Sequence, residues 1–383
     1  MTSAAPRVAI VHEWLVTYAG SEKVLEAMLR VFPQADIFCA MDFLPEQFRG
    51  NLKDKRIRTS FIQKIPFARH LHRHLLALMP FAVEQYDLSG YDIVISNSHA
   101  AAKGCLTSAG QLHICYCYTP IRYAWDLQFQ YLAESGLLWG LRSIIARWTL
   151  HKVRIWDART PFLVDAFIAC SHYIACRIKK TYRRESTVIH PNVDIDKFEL
   201  GEQDGDFYVT ASRLVPYKQI PLIIEAFRSM PSKKLIVIGT GPLLNKCIAF
   251  APPNVKVLGY QPDHVLHAHL RRARAFIFAA EEDFGIAPVE AQACGTPVIA
   301  YGRGGATETV IDGETGLFFY EQTSAAIVKA VDDFERCRVN FDRNRIRRHS
   351  ERFSTERFCS EFQEFVSQQW KAHCKSIQPR GSA

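Results

Sequence analysis

The chain has 383 residues, a formal net charge of +8 and a hydrophobic content of 48%, which is ordinary for a soluble globular protein. This length suits two domains better than one core, and no apolar run approaches the ~20 residues of a membrane-spanning helix. The eleven cysteines are scattered without a C-x-x-C pair, so we expect free thiols in a reducing cytoplasm rather than a disulfide framework or a zinc site.

Strand-like and helix-like segments alternate through the first half of the chain. A helix is predicted over residues 21–31, because its apolar residues recur at helical spacing. The predicted strands cover residues 7–12, 36–39, 92–97, 112–118, 166–170 and 186–190. Regular alternation of this kind indicates a parallel α/β sheet.

The second half repeats the pattern after a polar, glycine-bearing stretch over 194–206, which we interpret as a linker. A short helix is predicted over 289–294 and an amphipathic terminal helix over 354–371. The predicted strands cover residues 207–211, 234–238, 255–258, 275–280, 297–300 and 316–319. We therefore predict two Rossmann-like α/β domains, 1–196 and 197–353, facing each other across a cleft, and a terminal segment 354–383.

Two segments of the first half combine positive charge with apolar residues. Residues 53–74 fit an interfacial helix against anionic lipid, a phosphate-binding groove or a solvated basic helix face. Residues 121–160 read as continuous helix and hold four of the six tryptophans among arginines and lysines. That composition suits a membrane interface or a lipid-linked acceptor, or else plain helix packing. Without a nucleic-acid-binding motif, we expect no nucleic-acid partner.

The most informative stretch is EDFGIAPVE, residues 282–290. It places Glu282 in a loop after a buried strand and Glu290 inside the helix that follows. The amides of Phe284, Gly285 and Ile286 would point out of the helix N-terminus. Such a terminus attracts a phosphate or a polarised sugar hydroxyl, so this loop can reach two parts of an extended ligand.

Two further motifs follow predicted strands of the second half. Arg213 and Lys218 come directly after the strand 207–211, at the edge where open α/β sheets bind ligands. A guanidinium and an ammonium group there can neutralise a diphosphate. Gly304 and Gly305 follow the strand 297–300, and they permit a close approach of the backbone.

The E-x7-E spacing from Glu282 to Glu290 resembles that of retaining glycosyltransferases with the GT-B fold, specifically glycosyltransferase family 4. Arg213-x4-Lys218 resembles the pyrophosphate clamp of the same family, and the stretch from Gly304 resembles its G-G-x-x-E element. The resemblance covers nearly the whole chain. It implies that Glu290 binds ribose hydroxyls, that Glu282 binds the donor sugar, and that the terminal helix crosses back to the N-terminal domain.

The resemblance also assigns the remaining donor contacts. The amides of residues 284–286 would hold the sugar and the diphosphate, while Arg213 and Lys218 stabilise the departing phosphate. It implies front-face transfer with no side-chain nucleophile, no cofactor and no metal. Asp194-Ile195-Asp196 matches the D-x-D metal signature of the other glycosyltransferase fold, but it follows a hinge-like segment. We interpret it as structural, with Asp194 capping a turn.

In the first half the resemblance points to residues after predicted strands. Gly20 stands where the family has a Gly-Gly pair near the donor phosphate, and His99 matches its histidine near the donor sugar. The segment containing Tyr118, Arg122 and Trp125 resembles a stretch of mannosyl- and rhamnosyltransferases of lipopolysaccharide assembly, so we expect an acceptor or secondary site there. Histidine is common in that family where Tyr118 stands.

The resemblance implies transfer of mannose or a 6-deoxyhexose such as rhamnose from a GDP-sugar to a polyprenyl-diphosphate-linked glycan in O-antigen or other cell-surface polysaccharide synthesis. Since nothing at the N-terminus reads as a signal peptide, we expect a cytoplasmic protein, peripheral on the inner face of the cell membrane. The alternatives are a UDP-sugar donor, a sugar-nucleotide epimerase of the same two-domain shape, and a non-catalytic nucleotide-sugar-binding protein.

Overall fold

The computed structural model describes residues 5–71, 74–201, 205–337 and 341–377, and the chain folds into two compact units. The first unit contains the chain up to His190 and again from Phe358 onward, and the second runs from Pro191 to Arg357. The chain thus enters the second unit at residue 191, whereas the sequence places that boundary at 196–197, and it returns at 358 rather than 354.

The first unit is built on a seven-stranded parallel sheet. Its strands are β1 Val8–His12, β2 Asp36–Cys39, β3 Ile57–Thr59, β4 Ile93–Ser98, β5 Leu112–Cys117, β6 Ala166–Ala169 and β7 Thr187–Val188. The spatial order is β3-β2-β1-β4-β5-β6-β7. The order reverses between β1 and β4, so their carboxyl ends flank the switch point where α/β sheets bind ligands.

Helices connect these strands. They are α1 Gly20–Val31, α2 Ala68–Leu71, α3 Met79–Glu84, α4 Gln128–Glu134, α5 Leu141–Asp157 and α6 His172–Tyr182. Shorter 3-10 helices cover Glu46–Phe48, Gly50–Leu52, Phe61–Lys64, His74–Leu78, Ala102–Gly104 and Thr160–Leu163. In α1 the Glu22 carboxylate accepts from the backbone N–H of Ala19 (2.8 Å), which satisfies a donor that the helix leaves unpaired.

The prediction of continuous helix over 121–160 is wrong, and the two helical alternatives for residues 53–74 do not hold in the part that is described. Within 53–71 the chain forms the strand β3, a 3-10 helix and the single turn α2 instead of one helix, and residues 72–73 lie outside the described part. The segment 121–160 is split into α4 and α5. Gly136 and Gly140 lie between them with φ of +66° and +88°, a conformation that ends a helix and favours glycine.

The second unit is built on a six-stranded parallel sheet in the order β10-β9-β8-β11-β12-β13. Its strands are β8 Phe207–Ala211, β9 Lys234–Ile238, β10 Val255–Gly259, β11 Phe276–Phe278, β12 Val298–Tyr301 and β13 Gly316–Phe319. All six predicted strands of this half are therefore confirmed, with small shifts at their ends. The order reverses between β8 and β11, which places a second switch point there.

The helices of the second half are α7 Ile220–Arg228, α8 Leu244–Phe250, α9 Asp263–Arg272, α10 Ile286–Ala293, α11 Ala306–Thr309, α12 Ser324–Cys337, α13 Arg343–Ser350 and α14 Thr355–Ile377. The 3-10 helices cover Ile195–Lys197, Pro216–Lys218 and Glu351–Phe353. The predicted linker 194–206 packs on this unit where it is described. The Gly201 N–H donates to the Cys294 carbonyl (3.0 Å), and a Cβ at Gly201 would lie 2.0 Å from the Arg271 carbonyl oxygen.

Each unit has its own apolar core on both faces of its sheet. The terminal helix α14 contributes to the core of the first unit, since Phe358 and Phe362 are fully buried there. The Phe358 ring lies 5.8 Å from Tyr116, and the Phe362 ring lies 6.2 Å from Phe32. The chain thus crosses back to the first unit at its end. Among the described residues, no helix is long and apolar enough to cross a membrane.

Candidate functional site

The second sheet brings a cation and an anion together at its switch point. Lys218 follows β8 and Glu282 follows β11, and the Lys218 ammonium forms an ion pair with the Glu282 carboxylate. Both side chains are mostly buried. Arg213 lies in the same loop as Lys218 and is exposed. The residues that the sequence separates by more than sixty positions therefore meet where the strand order reverses.

The glycine pair after β12, Gly304 and Gly305, contacts the backbone of the loop that carries Glu282. The Gly305 N–H donates to the Glu282 carbonyl (2.7 Å), and Gly304 pairs with Glu282 as an isolated bridge. Gly304 has a φ of +71°, and a Cβ there would lie 2.5 Å from the Glu282 carbonyl oxygen. A Cβ at Gly305 would lie 2.3 Å from the Cα of Phe284. These glycines therefore permit a close approach to the backbone of the loop that carries Glu282.

The helix α10 begins directly after this loop. Gly285 is its N-cap with φ +89°, and as a glycine it has no side chain with which to cap the first amides. Phe284 is buried and packs edge-on against Phe353 (5.4 Å), so it offers a ligand its backbone only. The helix starts at Ile286 rather than at 289, and Pro288 falls in the first turn, where no backbone donor is needed. Glu290 lies in the middle of α10 and is partly buried.

A third loop joins this edge, and the sequence analysis missed it. The Leu214 N–H donates to the backbone carbonyl of Thr240 (2.9 Å). Thr240 lies between Gly239 and Gly241, whose φ values are +138° and +156°. A Cβ at Gly239 would lie 1.8 Å from the Ser212 carbonyl oxygen. The feature of the sequence that could have revealed this loop is the pair of glycines on either side of Thr240, directly after the strand β9. They hold the loop that begins with Arg213 against the sheet edge.

In the first unit, the carboxylate of Glu13 organises the loop after β4. It accepts from the Ser98 hydroxyl (3.0 Å) and from four backbone N–H groups, of His99 (3.0 Å), Ala100 (2.7 Å), Ala101 (2.9 Å) and Ala102 (3.1 Å). Burial alone would raise the pKa of the Glu13 carboxyl, but His99 and these N–H groups outweigh burial and lower it. Glu13 follows a buried strand, a signal that sequence reasoning did not use.

His99 is half-buried at the start of that loop. Its ring lies edge-on to Trp14 at 4.9 Å. Burial lowers the pKa of His99, although the Glu13 carboxylate acts in the opposite direction. The imidazole is therefore neutral at neutral pH, and it can donate or accept a hydrogen bond without carrying a charge.

Beside His99 the structure gathers three buried polar side chains that sequence reasoning missed. His12 lies 3.3 Å from Glu22 through Nε2 and 3.1 Å from the Asn97 amide nitrogen through Nδ1. The Asn97 amide and the Tyr118 hydroxyl both donate to the Ser21 carbonyl, at 3.3 and 3.4 Å. The turn at Gly20, where α1 begins, therefore lies beside Tyr118. Burial raises the pKa of the Tyr118 hydroxyl well above its usual value, so it stays protonated.

Trp125 is tied into a structural cluster. Its Nε1–H donates to the buried Asp157 carboxylate (2.6 Å), which also pairs with Lys103 (2.7 Å) and accepts from Tyr182 (3.0 Å). The indole N–H is thus used inside the unit, while the ring is partly exposed, as is Arg122.

Within the described part of the chain, no three His, Cys, Asp or Glu side chains are arranged to hold a metal ion. Asp194 precedes the 3-10 helix Ile195–Lys197, makes no capping hydrogen bond with its side chain, and pairs with Lys197 (2.9 Å).

The two parallel-sheet, Rossmann-like units have the architecture of the GT-B glycosyltransferases. HepE of Anabaena, solved in complex with UDP and glucose, superposes with a TM-score of 0.69 at 17% identity, covering 95% of this chain and 100% of HepE. Sucrose-phosphate synthase of Thermosynechococcus elongatus superposes with 0.75 at 15% identity, covering 96% of this chain and 100% of that one. At such identities the likeness establishes the fold.

Residues 192–352, nearly the whole of the second unit, match the family "Glycosyl transferases group 1". A GDP-mannose-dependent alpha-(1-6)-phosphatidylinositol monomannoside mannosyltransferase of Mycolicibacterium smegmatis is 31% identical over 51% of this chain and 61% of its own length. The alpha-1,3/1,6-mannosyltransferase alg2 of Schizosaccharomyces pombe is 27% identical over 59% of this chain and 52% of its own. The chain thus spans about half the length of these curated relatives.

Proposed function

We propose that the protein is a retaining glycosyltransferase that moves mannose or a 6-deoxyhexose such as rhamnose from a GDP-sugar to a lipid-linked glycan. The observation that carries the proposal is the Lys218–Glu282 ion pair at the switch point, where the loop that carries Glu282 leads to the glycine-capped N-terminus of α10. A nucleotide sugar presents a diphosphate next to a ring of hydroxyl groups. A cation and a carboxylate side by side therefore match its two neighbouring parts.

The proposed roles are those that the family resemblance implies, and the chemistry of each group suits them. Lys218 and the exposed Arg213 stabilise the charge that grows on the departing diphosphate, and the first amides of α10 add hydrogen bonds to it. Glu282 accepts from hydroxyls of the donor sugar, and Glu290 accepts from the ribose. No side chain is assigned as nucleophile, because the clamp acts on the leaving group. For His99 the family resemblance implies a contact with the donor sugar, and a neutral imidazole adds no charge to such a contact.

Two relatives support mannose, carried on GDP, as the donor sugar. The relative from Mycolicibacterium smegmatis is named as GDP-mannose-dependent, and the relative from Schizosaccharomyces pombe is named as a mannosyltransferase. HepE is solved with UDP and glucose, which keeps a UDP-sugar as the second candidate donor. We place the acceptor, a polyprenyl-diphosphate-linked glycan of cell-surface polysaccharide synthesis, at a membrane surface on the cytoplasmic side.

The test has two stages. Thermal unfolding is followed with GDP, UDP, and their mannose, rhamnose and glucose conjugates, because a ligand at a hundred times its Kd stabilises by ~2.7 kcal/mol. We expect stabilisation by GDP and by GDP-mannose or GDP-rhamnose. Release of GDP is then measured with and without a lipid-linked glycan. Stabilisation by UDP compounds alone would overturn the donor, and turnover without acceptor would indicate an epimerase or a hydrolase.

The variant Glu282→Ala separates the sugar contact from the nucleotide contacts. We expect loss of transfer with GDP stabilisation retained, because Glu282 is assigned to the sugar alone. Glu225→Ala is the matched control, since that carboxylate lies on α7 with 43% of its side chain exposed and pairs with the neighbouring Arg228 (3.1 Å). Undiminished transfer by Glu282→Ala would refute the assignment.

A further inference from the structure

The helix α5 carries an apolar stripe on its exposed side. The stripe residues recur at three- and four-residue spacing, which places them on one face of the helix. Their exposed fractions are Leu141 72%, Ile144 64%, Ile145 56%, Trp148 60% and Ile155 43%. This is the reverse of an ordinary surface helix, whose apolar face is buried.

The opposite face holds α5 firmly on the first unit. Val153 and Asp157 are buried there. The Trp156 indole N–H donates to Glu84 on α3 (2.6 Å), and the Arg154 guanidinium donates to Gln128 on α4 (3.0 Å). Because these contacts fix the rotation of the helix about its axis, the apolar stripe cannot turn inward without breaking them.

The exposed apolar surface extends beyond the helix at its N-terminal end. Trp139, just before α5, is 89% exposed, and Phe129 on α4 is also exposed. The Arg147 guanidinium lies 5.8 Å from the Phe129 ring, and the Lys152 ammonium lies 5.4 Å from the Trp148 ring. Cations are thus placed at the margin of the apolar surface, where aromatic faces attract them.

The charge of this segment has a single sign. From residue 138 to 156 the sequence has four lysines and arginines, one histidine and no aspartate or glutamate. A surface for a protein partner of mixed charge would not need this one-sided composition. Exposed isoleucine, leucine and tryptophan beside cations alone match the boundary of an anionic bilayer, where apolar side chains enter the acyl region and cations meet phosphate groups.

We infer that α5 is a membrane-docking helix that lies flat in the surface of an anionic phospholipid bilayer, with Trp139 and Trp148 as its aromatic anchors. Its 17 residues give a length of ~26 Å at 1.5 Å per residue, enough for an interfacial helix. The inference goes beyond the proposed function and does not require it, because docking needs no nucleotide sugar. It would bring a lipid-linked acceptor within reach of the first unit.

Flotation with lipid vesicles tests the inference. The full chain should float with vesicles of phosphatidylcholine and phosphatidylglycerol, float much less with phosphatidylcholine alone, and be released as salt rises, because salt screens exposed charges. Tryptophan fluorescence should shift to shorter wavelength on binding. The double variant Ile145→Ser/Trp148→Ala should weaken the partition at least ~10-fold, given the apolar area it removes. Lack of binding to the mixed vesicles would overturn the inference.

The matched control is Ile248→Ser, whose side chain on α8 of the second unit is 53% exposed. It should bind vesicles like the unaltered chain. Nucleotide-induced stabilisation should be unchanged in all variants, so a failure of docking can be told from a failure of the proposed function. Equal vesicle binding by the double variant, or concentration-dependent self-association that the double variant abolishes without any vesicle binding, would overturn the inference.

Discussion

Glu13 is the residue whose conservative replacement should be most informative. Its carboxylate is buried and receives five hydrogen bonds from the last residue of β4 and the loop after it, four of them at Oε1 and one, from Ala101, at Oε2. Glu13→Gln keeps the shape of the side chain but removes the charge. It also replaces one oxygen by an NH2 group, which places a donor against the Ala101 N–H.

The magnitude can be worked from these bonds. A buried donor left without an acceptor costs about 1–3 kcal/mol, and hydrogen bonds to a charged group are worth about 1.5–3 kcal/mol against about 1 for neutral ones. One unpaired donor and four weakened bonds together predict a loss of roughly 3 kcal/mol, allowing for relaxation of the loop. The loop carries His99, so we also expect weaker binding of the donor sugar.

Urea unfolding at neutral pH measures the loss, with Glu134→Gln on the exposed side of α4 as control. A pH series adds a second readout. The folded pKa of Glu13 is lowered, so its contribution is complete above the unfolded pKa of about 4.3 and is lost as the pH falls through the folded value. Glu13→Gln should therefore flatten the acid limb. A loss below about 0.5 kcal/mol, or an unchanged acid limb, would refute the reasoning.

Two further predictions concern buried contacts. Lys103→Met leaves the fully buried Asp157 without its cation, so the free energy of unfolding measured in urea should fall by about 3–5 kcal/mol. The control Lys53→Met breaks an exposed ion pair and should cost no more than about 1 kcal/mol. Equal losses in the two variants would contradict the argument from burial. Gly305→Ala forces a Cβ against the loop that carries Glu282, our proposed contact to the donor sugar, so it should cost about 1–3 kcal/mol and abolish stabilisation by nucleotide sugars. Gly110→Ala, with open space around it, is its control, and a similar response of both variants would contradict the prediction.

Local pattern predicted most of the regular structure. Apolar runs of strand length, separated by amphipathic segments, gave both parallel sheets, and the six strands of the second half match closely. The wrong predictions lie in segments where the periodicity of apolar residues does not distinguish one helix from a strand or from two helices. The strand β3 is short and half-buried within a basic segment, and the break between α4 and α5 depends on two glycines with positive φ. A basic, apolar segment reads equally well as a helix, so propensity could not separate the two.

Spacing along the chain was enough to place Arg213, Lys218, Glu282 and the glycine pair after β12 at the ends of strands, because a motif is a local property. Which of these residues meet depends on how the chain folds. The order of strands in a sheet is set by long-range packing, and it joins Lys218 to Glu282. The same holds for Glu13, whose five donors come from residues 98–102, more than eighty positions away, since no local pattern records a contact made by folding.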